Sequence, residues 1–459
     1  MNHLLVEHDL RDMITKNDEA ALAEFCKTTH PALIAEQMLN FTPQEAWTVL
    51  KNADIPERSD IFSHLEAEMQ IEIIDILPRD QMVRLISDMP PDDRADLFKT
   101  LPEERRDAIL PALAQAERED IRRLTAHQEG TAGAVMTSDY ATLSPNMTVA
   151  QAIDHLRDVA PDKETIYYAY VLDSKRRLLG FVSLKDLIVS RKHSFIRDVM
   201  HEDVIFARAS DDQEKAADII QKYDLLALPI VNGGESLVGI ITHDDAMDIL
   251  TQEHTEDIEK LMAISGSHEA GVYMRTSSLG HFKNRALWVV LLAFVGLLSG
   301  FIVQNFEDVI LQFAIFAMFM PMVADTGGNT GSQSATLVIR ALALGEISPK
   351  DIFKILFKEL KVSLMIGLVL AAFAYGRVLF FGAGATIPEG YSMITIGTAI
   401  SVALGLQVIS ATLIGALLPL GAAKMKWDPA VVASPALTTI VDVTGLLIFF
   451  TTATLFLGL

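Results

Sequence analysis

From residue 286 to the end, the chain is dominated by five long apolar segments, near 286–304, 309–338, 362–382, 392–421 and 430–457. Each is long enough to cross about 30 Å of hydrocarbon as a helix. Hydrocarbon offers the backbone no hydrogen-bond partner, so α-helices that satisfy themselves are the expected solution. Basic residues in the short loops give the orientation. Lys283 and Arg285 precede the first span. Arg340, Lys350, Lys354, Lys358 and Lys361 lie between the second and third, and Lys424 and Lys426 between the fourth and fifth. The opposite loops, 304–308 and 382–391, have no Lys or Arg, and Arg377 is the one basic residue out of place. The N-terminal part is therefore expected in the cytoplasm and the C-terminus outside.

Residues 281–459 hold ten Lys or Arg and nine Asp or Glu, so the whole of the acidic excess lies earlier in the chain. An acidic module joined to a near-neutral membrane module argues against nucleic acid and against docking on anionic lipid. It suits divalent cations or basic partners, although acidic excess also serves solubility. The single Cys26 excludes a disulfide within one chain and fits a reducing compartment. No signal peptide is expected, since the first apolar run that could serve begins far from the N-terminus.

Residues 1–130 show helical periodicity. Leu77-Pro78, Met89-Pro90 and Leu101-Pro102 recur every twelve residues, each followed by charged residues and an apolar pair. Proline suits the first turn of a helix, so the pattern predicts stacked short helices, a small α-solenoid. Two α/β units follow, at 131–198 and 199–250. Val135-Met-Thr opens one and Val199-Met-His the other. Each closes on Gly-φ-φ-[Ser/Thr]-x-x-Asp, where φ is apolar, at Gly180 and Gly239. This duplication resembles a pair of CBS domains, which usually sense a small ligand. A charged amphipathic helix over 244–264 links the pair to the membrane domain of 281–459, with residues 265–281 predicted as a flexible connector.

No enzyme signature is present: neither a Gly-x-x-x-x-Gly-Lys phosphate loop nor His-Glu-x-x-His occurs, and the twelve His are scattered. The chemistry points to the membrane domain. Asp442 stands alone in the fifth span, and Ser434 and Thr438 precede it by eight and four residues, on one stripe of a helix. Hydroxyls ending in a carboxylate suit a hydrated hard cation along a pore; the alternative is a buried Asp bonded to a neighbouring helix. The second span carries Asp325-Thr-Gly-Gly-Asn329-Thr-Gly-Ser-Gln-Ser-Ala-Thr336. Its glycines permit close packing or an unwound turn, and its polar groups can face a neighbouring helix or water. Asp325 is a second intramembrane carboxylate.

Over essentially its whole length the chain resembles the MgtE family of magnesium channels and transporters. The residues that carry the resemblance are Gly327-Gly-Asn-Thr-Gly-Ser-Gln-Ser-Ala-Thr, Asp428-Pro-Ala and Asp442-Val-Thr-Gly-Leu-Leu. The resemblance implies a multidomain fold: a cytoplasmic superhelical α domain, tandem CBS domains, a linking helix and five membrane helices. It implies a homodimer in the cell membrane with a central pore, where Asp442 holds hydrated Mg²⁺. It also implies regulation by cytosolic Mg²⁺ at Asp92 and Asp96, at Asp212, Glu214 and Asp224, and on the linking helix at Asp245, Asp248, Glu253, Glu256 and Asp257. Asp428 should face the last of these. Ser434 and Thr438 depart from the usual Asn and small apolar residue, and Asp325 stands where a neutral residue is expected. It either adds a cation site or pairs within the bundle. The expected function is a Mg²⁺-gated Mg²⁺ channel, not an enzyme, with ATP as a ligand the CBS pair could take. The alternatives are a Co²⁺ or Mn²⁺ transporter on the same scaffold and a nucleotide-sensing regulator that is merely membrane-anchored.

Overall fold

The computed structural model describes residues 10–266, 273, 276–381, 388–433 and 435–459. Ser434 and most of the connector after residue 266 lie outside them. The chain forms two compact units, which divide after Leu250.

The first unit begins with short helices, here numbered α1 (Glu19–Thr28), α2 (Pro31–Gln37), α3 (Pro43–Leu50), α4 (Ile55–Ser63), α5 (Ala67–Ile76), α6 (Arg79–Ser87), α7 (Pro91–Thr100), α8 (Glu103–Ile109) and α9 (Gln115–Leu124). Their buried faces, from Leu22 through Ile34, Phe62, Ile74 and Ile86 to Phe98 and Ile121, make one continuous core. Helices this short are marginal by themselves, so stacking must supply their stability. A second device repeats with the twelve-residue period. Arg58 donates to the carbonyls of Leu50, Lys51 and Ala53. Gln70 donates to Phe62 and Ser63, Arg94 to Ile86, Ser87 and Met89, and Arg118 to Pro111 and Leu113. Each side chain satisfies carbonyls that the preceding helix leaves open at its C-terminus. Met82 takes the same place in the period without this bonding chemistry.

Two three-stranded sheets follow. The first holds β1 (Tyr140–Leu143), β2 (Thr165–Leu172) and β3 (Leu178–Ser183), with α10 (Val149–Val159) and α11 (Leu184–Val189). The second holds β4 (Ala207–Arg208), β5 (Ala227–Val231) and β6 (Leu237–Thr242), with α12 (Gln213–Tyr223). In both, the first pairing is parallel and the second antiparallel. The two opening motifs are exchanged. Thr137 pairs with Ile240 of β6, and His201 pairs with Phe181 of β3. The strands pass so close that a Cβ on Gly180 would overlap the His201 carbonyl, and one on Gly239 the Met136 side chain and Thr137 carbonyl. This explains the glycine in both closing motifs. The Asp of the Ser/Thr-x-x-Asp that follows accepts from the Ser or Thr backbone amide and hydroxyl, and at Ser183 the pair forms a full capping box. Ser183 bonds Asp186 at the start of α11, and Thr242 bonds Asp245 at the start of α13 (His243–Leu261).

The second unit contains α14 (Ser278–Asn305), α15 (Glu307–Gln312), α16 (Ile315–Ala343), α17 (Ile352–Phe381), α18 (Met393–Lys424), α19 (Pro429–Ala433) and α20 (Pro435–Leu457). α14 starts inside the predicted connector because Ser277 caps it, accepting from the Gly280 amide. Among the described residues, four helices are long and apolar enough to cross a membrane: α14, α17, α18 and α20. α16 has 29 residues, but its Asp, Asn, Gln, Thr and Ser residues lower its hydropathy. Aromatic packing of Phe313, Phe316, Phe449 and Phe450 fills one end of the bundle. Elsewhere glycine sets the spacing: a Cβ on Gly415 of α18 would overlap the Gly331 carbonyl of α16, so the two backbones touch.

Arg94 is 6% exposed and holds three carbonyls. Arg94→Met orphans those carbonyls, with an expected loss of about 3–5 kcal/mol. Arg106→Met, one repeat later at an exposed position, should stay within about 0.5 kcal/mol. Native-state hydrogen exchange of the α6 and α7 amides measures both.

Candidate ion path and acidic face

The polar residues of α16 are not scattered around its circumference. Asp325, Asn329, Gln333, Thr336 and Arg340 are all exposed and follow one another at spacings of three and four. They form one polar stripe about 22 Å long. Thr330 and Ser334 turn inward instead: Thr330 bonds the Thr326 carbonyl, and Ser334 donates to Glu359 on α17 at 2.8 Å. On α20, Thr438 is exposed and Asp442 half-buried. Thr438 stands beside α16, its Cγ2 at 3.6 Å from where a Cβ on Gly328 would lie. Asp325 and Asn329 thus lie on the helix that adjoins the one carrying Thr438 and Asp442. A polar stripe on an apolar bundle cannot face lipid without a large cost; it must face water or another copy of the protein.

The first unit holds a crowd of carboxylates where the solenoid meets the CBS pair. α7 packs there: Ala95 joins the core of the second CBS unit, and Lys99 donates to the Ala134 carbonyl. Burial, with Asp93, Asp245 and Glu164 nearby, pushes Asp92 well above the usual carboxylate range, and one of its oxygens has no hydrogen-bond partner. Burial raises Asp93 too, and Asp96 adds to the effect. Partial burial, with Asp245, Asp244 and Asp93 beside it, lifts Glu164 to about 7. Asp245 rises to about 6, mainly through burial and against the bonds from Thr242. Asp92 and Asp245 were expected from the sequence; Asp93, Glu164 and Asp244 were not. Asp96 is exposed and paired with Lys99 at 2.6 Å, and Asp248 is exposed on α13.

The other expected acids divide differently. Asp212 caps α12, accepting from the Glu214 amide, while Asp224 ends the same helix in a left-handed conformation. Their backbones are about 18 Å apart, too far to share one ion within a protomer. On the last turns of α13, Lys260 reaches both Glu256 at 2.6 Å and Asp428 at 3.0 Å. Burial works against its ammonium, but these carboxylates outweigh it and raise its pKa. Asp257 is raised by burial and by Asp428. Asp428 also accepts from the Ala430 amide and so starts α19. Glu253 lies one turn before this group, half-buried. Asp428 does face the linking helix, but across a lysine that the sequence reading passed over. Among the described residues, no three His, Cys, Asp or Glu side chains converge closely enough to ligate one ion directly. A cation on these faces would be held through its water shell, as Mg²⁺ prefers.

A separate hollow in the CBS pair is lined by Tyr168, Tyr170, Phe181, Val204, Ile205 and Leu225, among others. The Tyr170 hydroxyl is itself buried without a hydrogen-bond partner.

Residues 320–452 match a family of divalent cation transporters, MgtE; residues 29–130 match the MgtE intracellular N domain; residues 132–192 and 196–252 match CBS domains. The magnesium transporter MgtE of Thermus thermophilus is 38% identical over 338 residues, covering 74% of this chain and 72% of that protein. The chain belongs to the MgtE family. The magnesium transporter MgtE of Bacillus subtilis is 36% identical over 73% of this chain and 72% of its own length. Among solved structures, the cytosolic domain of the Mg²⁺ channel MgtE in complex with ATP is 31% identical, with a TM-score of 0.51, covering 53% of this chain and 99% of that one. The soluble part of a magnesium transporter is 28% identical, with a TM-score of 0.52, over 55% and 99%. MgtE membership makes this a protein of a membrane transporter family with an intracellular N domain and a CBS pair.

The raised carboxylates fix the sign of a pH effect. Between its unfolded value of 4.5 and its folded value of about 7, Glu164 binds more protons when folded. Without divalent cations, stability of the first unit should therefore fall as pH rises through that window, and Asp245 adds to the fall up to about 6. Millimolar Mg²⁺ should flatten the slope, and Glu164→Gln should reduce it. Thermal unfolding in a chelator, pH by pH, measures this.

Proposed function

We propose that this protein is a Mg²⁺ channel of the cell membrane, a homodimer whose pore is lined by α16 and α20 and which closes when cytosolic Mg²⁺ accumulates. The observation that carries the reading is the exposed stripe from Asp325 to Arg340 on α16, which adjoins the helix carrying Thr438 and Asp442. A second copy, related by a two-fold axis, would convert that stripe into a water-filled path. Asp442 would hold a hydrated ion electrostatically, with Thr438 contacting its water shell, and Asp325 and Asn329 would lie on the same path. The stripe offers oxygen donors and no Cys or His, which favours Mg²⁺ over softer ions. A potential of about 100 mV supplies roughly 4.6 kcal/mol per divalent ion, so influx needs no coupled reaction.

Closure rests on the acidic faces. Hydrated Mg²⁺ at Asp92, Asp93, Glu164 and Asp245 would cancel their repulsion and hold α7 on the CBS pair. Asp248, Asp96, Asp212, Glu214 and Asp224 would contribute through the field or across the dimer. Glu253, Glu256, Asp257 and Asp428 would do the same at the end of α13, where Lys260 already supplies one fixed positive charge. The N-terminal unit lies in the cytoplasm on this reading, and the C-terminus outside. The hollow at Tyr170 would take a flat aromatic ligand such as the adenine of ATP, because it offers the ring faces of Tyr168 and Phe181.

Asp442→Ala should abolish Mg²⁺ influx into liposomes, and Asp442→Asn, which keeps the volume, should lower it at least tenfold. Native-like flux in Asp442→Asn would remove the pore assignment. Lys260→Met should make closure depend more heavily on Mg²⁺, raising the half-closing concentration about threefold or more. An unchanged midpoint would reduce the lysine to a surface ion pair of little worth.

A further inference from the structure

Gln407 lies near the middle of α18 and is fully buried. An amide at such depth in an apolar bundle must be satisfied by the protein itself. Its Nε2 donates to the Val441 carbonyl at 3.3 Å, and its Oε1 accepts from the Ser410 hydroxyl at 3.3 Å. Val441 is the residue before Asp442. Two glycines make the room: a Cβ on Gly327 of α16 or on Gly445 of α20 would overlap the Gln407 amide. The amide is thus wedged where α16, α18 and α20 meet, and its hydrogen bond ends on the backbone that carries Asp442. The Thr444 hydroxyl also reaches the Val441 carbonyl, at 3.3 Å, so this peptide is held from its own helix and from α18.

We propose that Gln407 is a positioning residue for the ion path: by holding the Val441 carbonyl in the slot between Gly327 and Gly445, it sets the rotation and height of α20 and so where the Asp442 carboxylate stands. It touches no ion itself. The proposal deepens the pore reading and rests on it. A carboxylate that holds a hydrated ion acts through distance, and helix rotation moves a side-chain tip further than it moves the backbone. Small turns of α20 would therefore alter ion affinity and discrimination before they altered folding.

The test compares Gln407→Leu, Gly445→Ala, the double variant Gln407→Ala with Gly445→Ala, and Asp442→Asn, each as the full chain in liposomes. Mg²⁺ influx is measured against external Mg²⁺, with Co²⁺ and Ca²⁺ as competitors, and thermal stability alongside. Gln407→Leu keeps the volume and loses the bond; its half-saturating Mg²⁺ should rise about tenfold, with altered competition by Co²⁺ and Ca²⁺. Gly445→Ala should be impaired because its methyl displaces the amide. The double variant refills the slot without an amide. It should regain stability relative to Gly445→Ala while keeping the altered half-saturation, and it gives the answer should Gln407→Leu not fold. Native half-saturation and competition in the double variant, or in a folded Gln407→Leu, would make Gln407 mere filling and overturn the proposal. If those two variants are native-like while Asp442→Asn is dead, only the positioning role falls. If Asp442→Asn conducts normally, the pore reading falls and takes this proposal with it.

Discussion

A carboxylate that loses part of its water must be protonated, paired or matched by a cation, and this chain places carboxylates under that constraint repeatedly. Between α7, the start of α13 and the loop before β2 it gathers Asp92, Asp93, Asp245 and Glu164 with too few cations among them, so their proton affinities rise. At the end of α13 the same problem has a different solution, with Lys260 set between Glu256 and Asp428. In the membrane unit, Asp442 stands on a helix that otherwise suits hydrocarbon, and Asp325 on the polar stripe of α16. The first arrangement leaves its carboxylates with raised proton affinity, whereas the second is largely satisfied by the chain itself. Asp245 belongs to both worlds: one oxygen caps α13 through Thr242, so a cation drawn to that carboxylate also bears on the start of the linking helix.

Much of this order is legible in the sequence because it rests on local periodicity. Apolar runs and loop charges mark the membrane helices, and the Leu-Pro and Met-Pro repeats mark short helices. The Gly…Ser/Thr-x-x-Asp elements mark the duplicated sheets, and in both the Asp bonds back to the Ser or Thr at the helix start. What could not be read depends on contacts between distant residues. Arg58, Gln70 and Arg94 look like ordinary polar positions until the preceding helix end is in place to receive them. Glu164 sits beside no other acid in sequence; folding brings it to Asp245, 81 positions away. Lys260 is one basic residue among many acids in sequence and gains its role only when Asp428 folds against it, and the distance between Asp212 and Asp224 follows only once α12 runs unbroken between them.

The membrane helices separate two uses of polarity. Thr330, Ser334 and Gln407 face inward and are satisfied by neighbouring groups. Asp325, Asn329, Gln333 and Thr336 face outward as a stripe. In the sequence they occur within one run, so composition could not sort them; the helix phase relative to α18 does. Gly331 and Gly415 fix that phase by bringing the backbones of α16 and α18 into contact.

The exchanged opening motifs of the CBS pair bear on how the protein is made. Thr137 pairs with Ile240 and His201 with Phe181, so neither sheet is complete within its own copy of the motif. During synthesis, His201 follows its partner strand after about twenty residues, but the Thr137 segment leaves the ribosome about a hundred residues ahead of β6. At the usual rates of elongation it waits roughly 5–20 s without its partner. The first sheet can therefore be completed soon after residue 201 emerges, whereas the Thr137 segment stays unpaired until β6 follows it. An exposed edge is sticky while it waits, so the nascent chain is most open to capture by a chaperone, or to mispairing with a neighbouring chain, before residue 240 appears.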